Sequence, residues 1–223
     1  MNPGRSTGHH RVPLLRAILD LLFPPRCVSC GAGGNWLCDA CIDQVVFFEP
    51  PWPTLVDELW PLQAVRCAAH LSGPLRKAIH HFKYGGLRDL GAILGQILTD
   101  CWDADPLPVQ VIVPVPLHPQ RERERGYNQS MLLAHELAQH TGLPVAEGVL
   151  LRVQSTPPQV GLNASERAAN VRNAFRCRTE DLRGKRVLLL DDVLTTGATA
   201  RSCARALMKG KASAVWGLVL AHD

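Results

Sequence analysis

The sequence predicts an α/β protein, with a mainly parallel sheet flanked by helices and a small N-terminal zinc-binding segment ahead of it. Three observations carry that expectation. From residue 62 onward, short apolar runs that suit strands covered on both faces alternate with stretches of helical spacing. Residues 187–200, VLLLDDVLTTGATA, hold a buried strand, a tight acidic turn and a helix start within fourteen residues. Cys27, Cys30, Cys38 and Cys41 form two C-x-x-C pairs separated by seven residues.

A chain of 223 residues holds one sizeable α/β domain and a small appendage. With 46% hydrophobic and 20% charged residues the composition is ordinary for a globular protein and excludes wholesale disorder. A net charge of +4 suits a phosphorylated ligand or an accessory nucleic-acid contact, and falls short of a dedicated DNA-binding domain. Residues 1–22 read as a flexible tail and an amphipathic helix. The apolar run 12–23 carries Arg16 and Asp20, is too short to cross a bilayer and precedes no small-residue cleavage site. No transmembrane segment is expected, and a cytoplasmic location is.

Residues 23–48 contain the four clustered cysteines. Four soft ligands on two tight turns suit one tetrahedral zinc ion, with Gly31, Gly33 and Gly34 giving the backbone its turning freedom. Two disulfides or a redox C-x-x-C compete; the lack of an export signal disfavours the first and the duplication of the motif the second. A closed four-thiolate site has no open position for substrate, so this zinc is structural, and it holds together a segment too short for its own core. Cys67, Cys101, Cys177 and Cys203 are scattered and read as buried reduced thiols. Residues 49–61, EPPWPTLVDELWP, read as a semi-rigid Pro/Trp linker whose Trp52 and Trp60 pack on the main domain.

The main domain, 62–223, opens with a strand or strand pair at 61–71 and turns at Gly73-Pro74. Residues 75–82 form a short helix running into Lys83-Tyr84-Gly85-Gly86, which taken alone reads as a helix end capped by lysine and glycine. Leu87, Leu90, Ile93, Leu94, Ile97 and Leu98 recur at helical spacing and make 87–102 a packing helix. Residues 109–115, VQVIVPV, are the next buried strand, stopped by Pro114 and Pro116. Arg121, Arg123 and Arg125 follow at alternate positions before Gly126. They make a positively charged loop suited to pyrophosphate oxygens. The interleaved Glu122 and Glu124 suit a solvated helix start equally well, and the place after a buried strand favours the ligand loop. An amphipathic helix at 131–140 closed by Gly142 precedes a strand at 144–153 bent at Gly148. Residues 154–165, QSTPPQVGLNAS, have no apolar period and read as a mobile loop. Ser165 caps a helix running through Arg167, Asn170 and Phe175, and Arg183-Gly184-Lys185 turns the chain into the strand 187–190. A helix at 198–208 and a strand at 213–220 complete the domain.

Asp191 and Asp192 stand at the carboxyl end of the 187–190 strand, the end where open α/β sheets bind ligands. Thr195, Thr196 and Thr199 add hydroxyls, Gly197 lets the backbone turn closely, and the helix beginning at Ala198 adds its amides, a set of donors that suits a phosphate. Two carboxylates are not phosphate ligands and instead face sugar hydroxyls, so the stretch describes a pocket for a ribose 5-phosphate. Turn and capping roles are the simpler alternative, but one cap needs neither two acids nor three threonines. No G-x-x-x-x-G-K and no G-x-G-x-x-G after a strand competes with it.

The order D-D-x-x-T-T-G-x-T resembles the phosphoribosyl pyrophosphate (PRPP) fingerprint of type I phosphoribosyltransferases. The four cysteines, Phe82-Lys83-Tyr84-Gly85, Val113 to His118 (VPVPLH), Arg125-Gly126-Tyr127-Asn128-Gln129-Ser130, Gln159 with Gly161-Leu162, Arg167 with Asn170 and Phe175, and the acidic turn together resemble the ComF family of phosphoribosyltransferase-like competence proteins. That resemblance implies a type I phosphoribosyltransferase-like fold. It implies PRPP held with Mg²⁺ by Lys83, Asp191, Asp192 and the Thr195-Thr196-Gly197-Ala198-Thr199 loop, with Arg121 and Arg125 toward the pyrophosphate. Gln159, Gly161 and Arg167 would belong to a lid. It further implies a part in DNA uptake and natural transformation or the handling of incoming single-stranded DNA, with competence or helicase proteins as partners. An active phosphoribosyltransferase of nucleotide metabolism and a non-catalytic PRPP sensor or adaptor are the competing functions. No general base is assigned, because displacement through an oxocarbenium-like centre depends on positioning and charge stabilisation.

Overall fold

The computed structural model describes residues 24–50, 59–153, 174–178 and 182–223. The expected helix at 12–22, most of the Pro/Trp linker with Trp52, the expected loop with Gln159 and Gly161, and most of the expected helix, with Arg167 and Asn170, lie outside these residues.

Four strands form a parallel sheet: β1 (Leu62–His70), β2 (Val111–Pro114), β5 (Arg186–Leu194) and β6 (Ala214–His222), in the order β1-β6-β5-β2. Helices α2 (Gly73–Tyr84), α3 (Leu90–Ala104), α4 (Pro119–Arg125), α5 (Gln129–Thr141) and α6 (Ala198–Lys209) make the connections. In β5 the period of two sends Leu188 and Leu190 to one face and Val187 and Leu189 to the other, and all four are at most 2% exposed. Both faces are therefore cores, which is why the run has no polar alternation. On one face lie α2, α3 and α5. On the other lies α6, with Cys203, Ala204 and Leu207 fully buried.

The crossing of α3 and α5 is close because Gly95 carries no side chain; a Cβ there would stand 2.5 Å from that of Glu136. At the sheet's edges, Phe47 bridges Ala69 antiparallel and Val145 bridges Ile112 in parallel. The N-terminal segment, with its short helix α1 (Asp39–Ile42), shares the core of the α2 face: Cys27, Leu37, Cys41 and Val45 are buried there beside Leu75 and Phe82. Lys77 of α2 donates to the Ser29 carbonyl at 3.1 Å.

The structure departs from the sequence reading at five places. Strand β5 does not stop at Leu190 but runs to Leu194, because long β6 offers partners as far as Val193↔Ala221 and Leu194↔His222. Asp191 and Asp192 thus lie within a strand, and the turn comes after them. The arginine loop is a short helix, α4, capped by the His118 ring, which accepts from the Gln120 amide at 3.3 Å, with Pro119 in its first turn. The 144–153 strand is broken by Gly148 at φ +67°, leaving only β3 (Leu150–Arg152). Phe175 is not helical: it begins β4 (Phe175–Cys177), which pairs antiparallel with β3 in a separate two-stranded sheet. Trp60 is 68% exposed, because the adjacent Leu59 takes the core position at the entry to β1.

Candidate functional site

The acidic pair stands where β5 loses one neighbour and keeps the other. On the β2 side the ladder ends with Pro114↔Leu190 and the Val115 amide donating to the Leu190 carbonyl at 2.9 Å. On the β6 side pairing continues from Asp191 to Leu194. From Asp191 onward the β2 flank of the strand has no ladder partner among the described residues, at the strand end that α/β sheets use for ligands.

Three elements converge on that flank. Lys83, near the end of α2, places Nζ 2.8 Å from Asp192 Oδ1. Ser130, in the first turn of α5, donates to Asp191 Oδ1 at 2.9 Å, and the Asp192 amide donates to the same oxygen at 2.9 Å. The loop after β5 holds Thr195 exposed, Thr196 and Thr199 half-buried, and Gly197 and Ala198 buried. Gly197 sits at φ +69° as the residue before α6. It has no room for a Cβ, which would lie 2.0 Å from Leu59 Cδ2. No side chain among the described residues caps α6, so the amides of its first turn lack intrahelical partners.

The arginines divide by helical spacing. Arg121 and Arg125, four residues apart, are half-buried on the inner side of α4, while Arg123, Glu122 and Glu124 are exposed. The Arg125 guanidinium lies 5.2 Å from the Tyr84 ring centre and donates to Gln129 Oε1. Arg121 comes near Arg152 of β3, a residue that no motif marked and that only the fold brings to this place. Burial and then the Arg121 charge work against the Arg152 cation, and Asp191 supports it. Ser130 lay within a quoted motif, and only the fold brings it against an acid sixty-one positions away.

Burial, followed by the neighbouring Asp192 charge, pushes the Asp191 carboxyl up to about 7, against the pull of Lys83, the Asp192 amide and the Ser130 hydroxyl. For Lys83, burial opposes the ammonium, but the charges of Asp192 and Asp191 outweigh it and raise its affinity for the proton. Lys83 is therefore shared by two acids that resist ionising together.

The second constellation is the cysteine cluster. The four Sγ atoms of Cys27, Cys30, Cys38 and Cys41 all lie within 4.8 Å of one another, and those of Cys30 and Cys38 are 3.6 Å apart. A tetrahedral zinc with Zn–S bonds of about 2.3 Å would place its sulfurs about 3.8 Å apart, so the donor set fits that ion. Backbone N–H groups of Cys38, Cys30 and Ser29 overcome burial and lower the Cys27 thiol to about 6, whereas burial and the neighbouring thiols raise Cys41 to about 12. Four thiolates this close need a cation among them. Among the described residues the remaining cysteines form no disulfide; Cys67, Cys101 and Cys203 are buried and Cys177 half-buried. Burial holds Cys67 and Cys101 up to about 12, consistent with inert packing thiols.

Family models match two stretches: a double zinc ribbon domain over residues 18–52 and a phosphoribosyl transferase domain over residues 128–223. Competence protein F of Haemophilus influenzae is 32% identical over 209 residues, covering 88% of this chain and 85% of its own. DNA utilization protein YhgH of Salmonella typhi is 32% identical over 198 residues, covering 85% and 80%. Competence protein ComFC of Bacillus subtilis is 29% identical over 171 residues, covering 76% and 68%.

Proposed function

Because the chain belongs to the ComF family of competence proteins, we propose that it binds PRPP with Mg²⁺ at the carboxyl end of β5 and acts in the uptake or handling of DNA. The observation that carries the ligand half is the convergence on one open strand flank of Asp191, Asp192, Lys83 and Ser130, beside the left-handed Gly197 turn into α6. The ribose hydroxyls pair with the two acids. The 5-phosphate takes the Thr195, Thr196 and Thr199 hydroxyls and the amides from Gly197 and Ala198 onward, where the helix end favours negative charge. Arg121 and Arg125, on the inner face of α4, lie toward the pyrophosphate, and Lys83 offsets the acids so that a polyanion can approach them.

The donors fit magnesium, a hard cation that takes carboxylate oxygens and keeps water and substrate phosphates in the rest of its shell. Asp191 and Asp192 would hold it. When bound it would neutralise charge on the pyrophosphate. Gln159, Gly161 and Arg167 are assigned to a covering lid.

Calorimetric titration with Mg²⁺ and PRPP tests this reading. Binding by the wild type, lost in the double variant Asp191→Asn/Asp192→Asn with the circular dichroism spectrum unchanged, supports it; equal binding by both overturns it. Release of pyrophosphate with a panel of bases separates a transferase from a PRPP sensor. For the DNA half, the names of the relatives and the net charge of +4 motivate single-stranded DNA as partner. Fluorescence anisotropy should show affinity falling steeply as salt rises, since phosphate neutralisation releases counterions; no binding at low salt removes that half.

A further inference from the structure

We propose that Tyr127 and Gln129 are positioning residues for Lys83, acting through the Phe82 carbonyl to hold the end of α2 against the acidic pair. This rests on the reading of Lys83, Asp191 and Asp192 as a ligand site. A helix leaves its last carbonyls without intrahelical donors. In α2 the Gly85 amide donates to the His81 carbonyl at 2.8 Å, and the chain then turns away through Gly86 at φ +68°. The Phe82 carbonyl is met instead by two side chains from one turn of distant sequence: Tyr127 Oη donates at 2.5 Å and Gln129 Nε2 at 3.2 Å.

All three residues are buried, Phe82 at 0%, Tyr127 at 5% and Gln129 at 1% exposure, so water does not replace a lost donor. The next residue after Phe82 is Lys83, whose long stem would otherwise sample many rotamers. The same turn continues into Ser130, the donor to Asp191. Asn128 ties the turn to the end of β2, donating to the Val115 carbonyl at 3.0 Å while accepting from the Ser130 amide at 3.0 Å. One run of four residues thus fastens both the cation and one of the acids to a common frame. A role limited to satisfying a buried carbonyl would leave Lys83 indifferent to the loss of either donor, and this difference can be measured.

Tyr127→Phe removes only a hydroxyl, and Gln129→Met keeps the volume. Each folded protein, its melting curve recorded, is treated briefly with acetic anhydride, and peptide mass spectrometry gives the acetylation rate of Lys83 relative to exposed Lys185. In the wild type Lys83 should react more slowly than Lys185, and each variant should raise the ratio by about 3- to 10-fold, the size of one hydrogen bond. Unchanged ratios in both variants, or a wild-type Lys83 as reactive as Lys185, overturn the proposal. In a second arm, PRPP with Mg²⁺ should bind Gln129→Met more weakly by a similar factor. A wild type that binds no PRPP overturns the ligand reading alone, and the acetylation ratios then decide the positioning role by themselves.

Discussion

Asp191 occupies the least comfortable position on this flank: half-covered, beside Asp192, and supported by Ser130, the Asp192 amide, the shared Lys83 and the nearby Arg152. Its carboxyl is raised from an ordinary 3.8 to about 7. A carboxyl raised on folding stabilises the native state fully below 3.8, and that contribution is lost as pH rises through 7. Urea unfolding between pH 4.5 and 8.5 should therefore show a decline in the wild type that Asp191→Asn lacks; parallel curves would contradict the raised value. Ligand binding should follow the opposite course, weakening below about pH 7 as the acid proposed to meet the ribose and magnesium takes up a proton. Thr199→Val should weaken PRPP by about 1 to 3 kcal/mol, the cost of leaving a charged oxygen short of a donor. Arg125→Ala should weaken PRPP much more than ribose 5-phosphate, and calorimetry with the two ligands distinguishes these cases.

At the level of elements, the turn from β5 into α6 is where sequence and packing constrain one another most. Gly197 adopts a left-handed φ of +69°, and Leu59 fills the space a Cβ would need. Gly197→Ala should cost about 1 to 3 kcal/mol from backbone strain with the clash added, and should weaken PRPP by displacing the first amides of α6. Adding Leu59→Ala should relieve the clash and leave the strain. Chemical denaturation that finds Gly197→Ala as stable as the wild type would refute the tight fit. Helix α4 illustrates how a local pattern can suggest the wrong element. The alternating pattern of Arg121, Arg123 and Arg125 after a buried strand favoured a charged loop over a helix start, but the Gln120 amide donates to the His118 ring and Pro119 opens a helix. The helix keeps Arg121 and Arg125 together and sends Arg123 outward.

Across the whole molecule, the zinc segment and the sheet share one core. Leu37 and Val45 are buried with Leu75 and Phe82, and the chain leaving the segment bridges β1 through Phe47. One equivalent of zinc per chain is expected by metal analysis, with Cys27, Cys30, Cys38 and Cys41 slow to react with thiol reagents until a strong chelator is added. Removing the metal should also lower the melting temperature of the sheet, because the uncovered face of α2 loses apolar contacts. A two-stage melt whose main transition is unmoved by the chelator would mean the segment folds independently of the sheet.

The sequence by itself determined the α/β class, the buried character of β5, the four-cysteine centre and the place of the acidic pair just after the apolar run of β5, because each depends on local order: apolar runs and ligand spacing. It could not determine the length of β5, since Val193 and Leu194 extend the strand only when β6 lies alongside to accept the ladder. Nor could it assign Phe175, whose three-residue strand exists through pairing with β3 rather than through any pattern of its own. Ser130 and Lys83 stand sixty-one and one hundred and nine positions from the acids they meet. What joins them is the packing of α2 and α5 on one face of the sheet, a consequence of where two helices come to rest that only the tertiary structure decides.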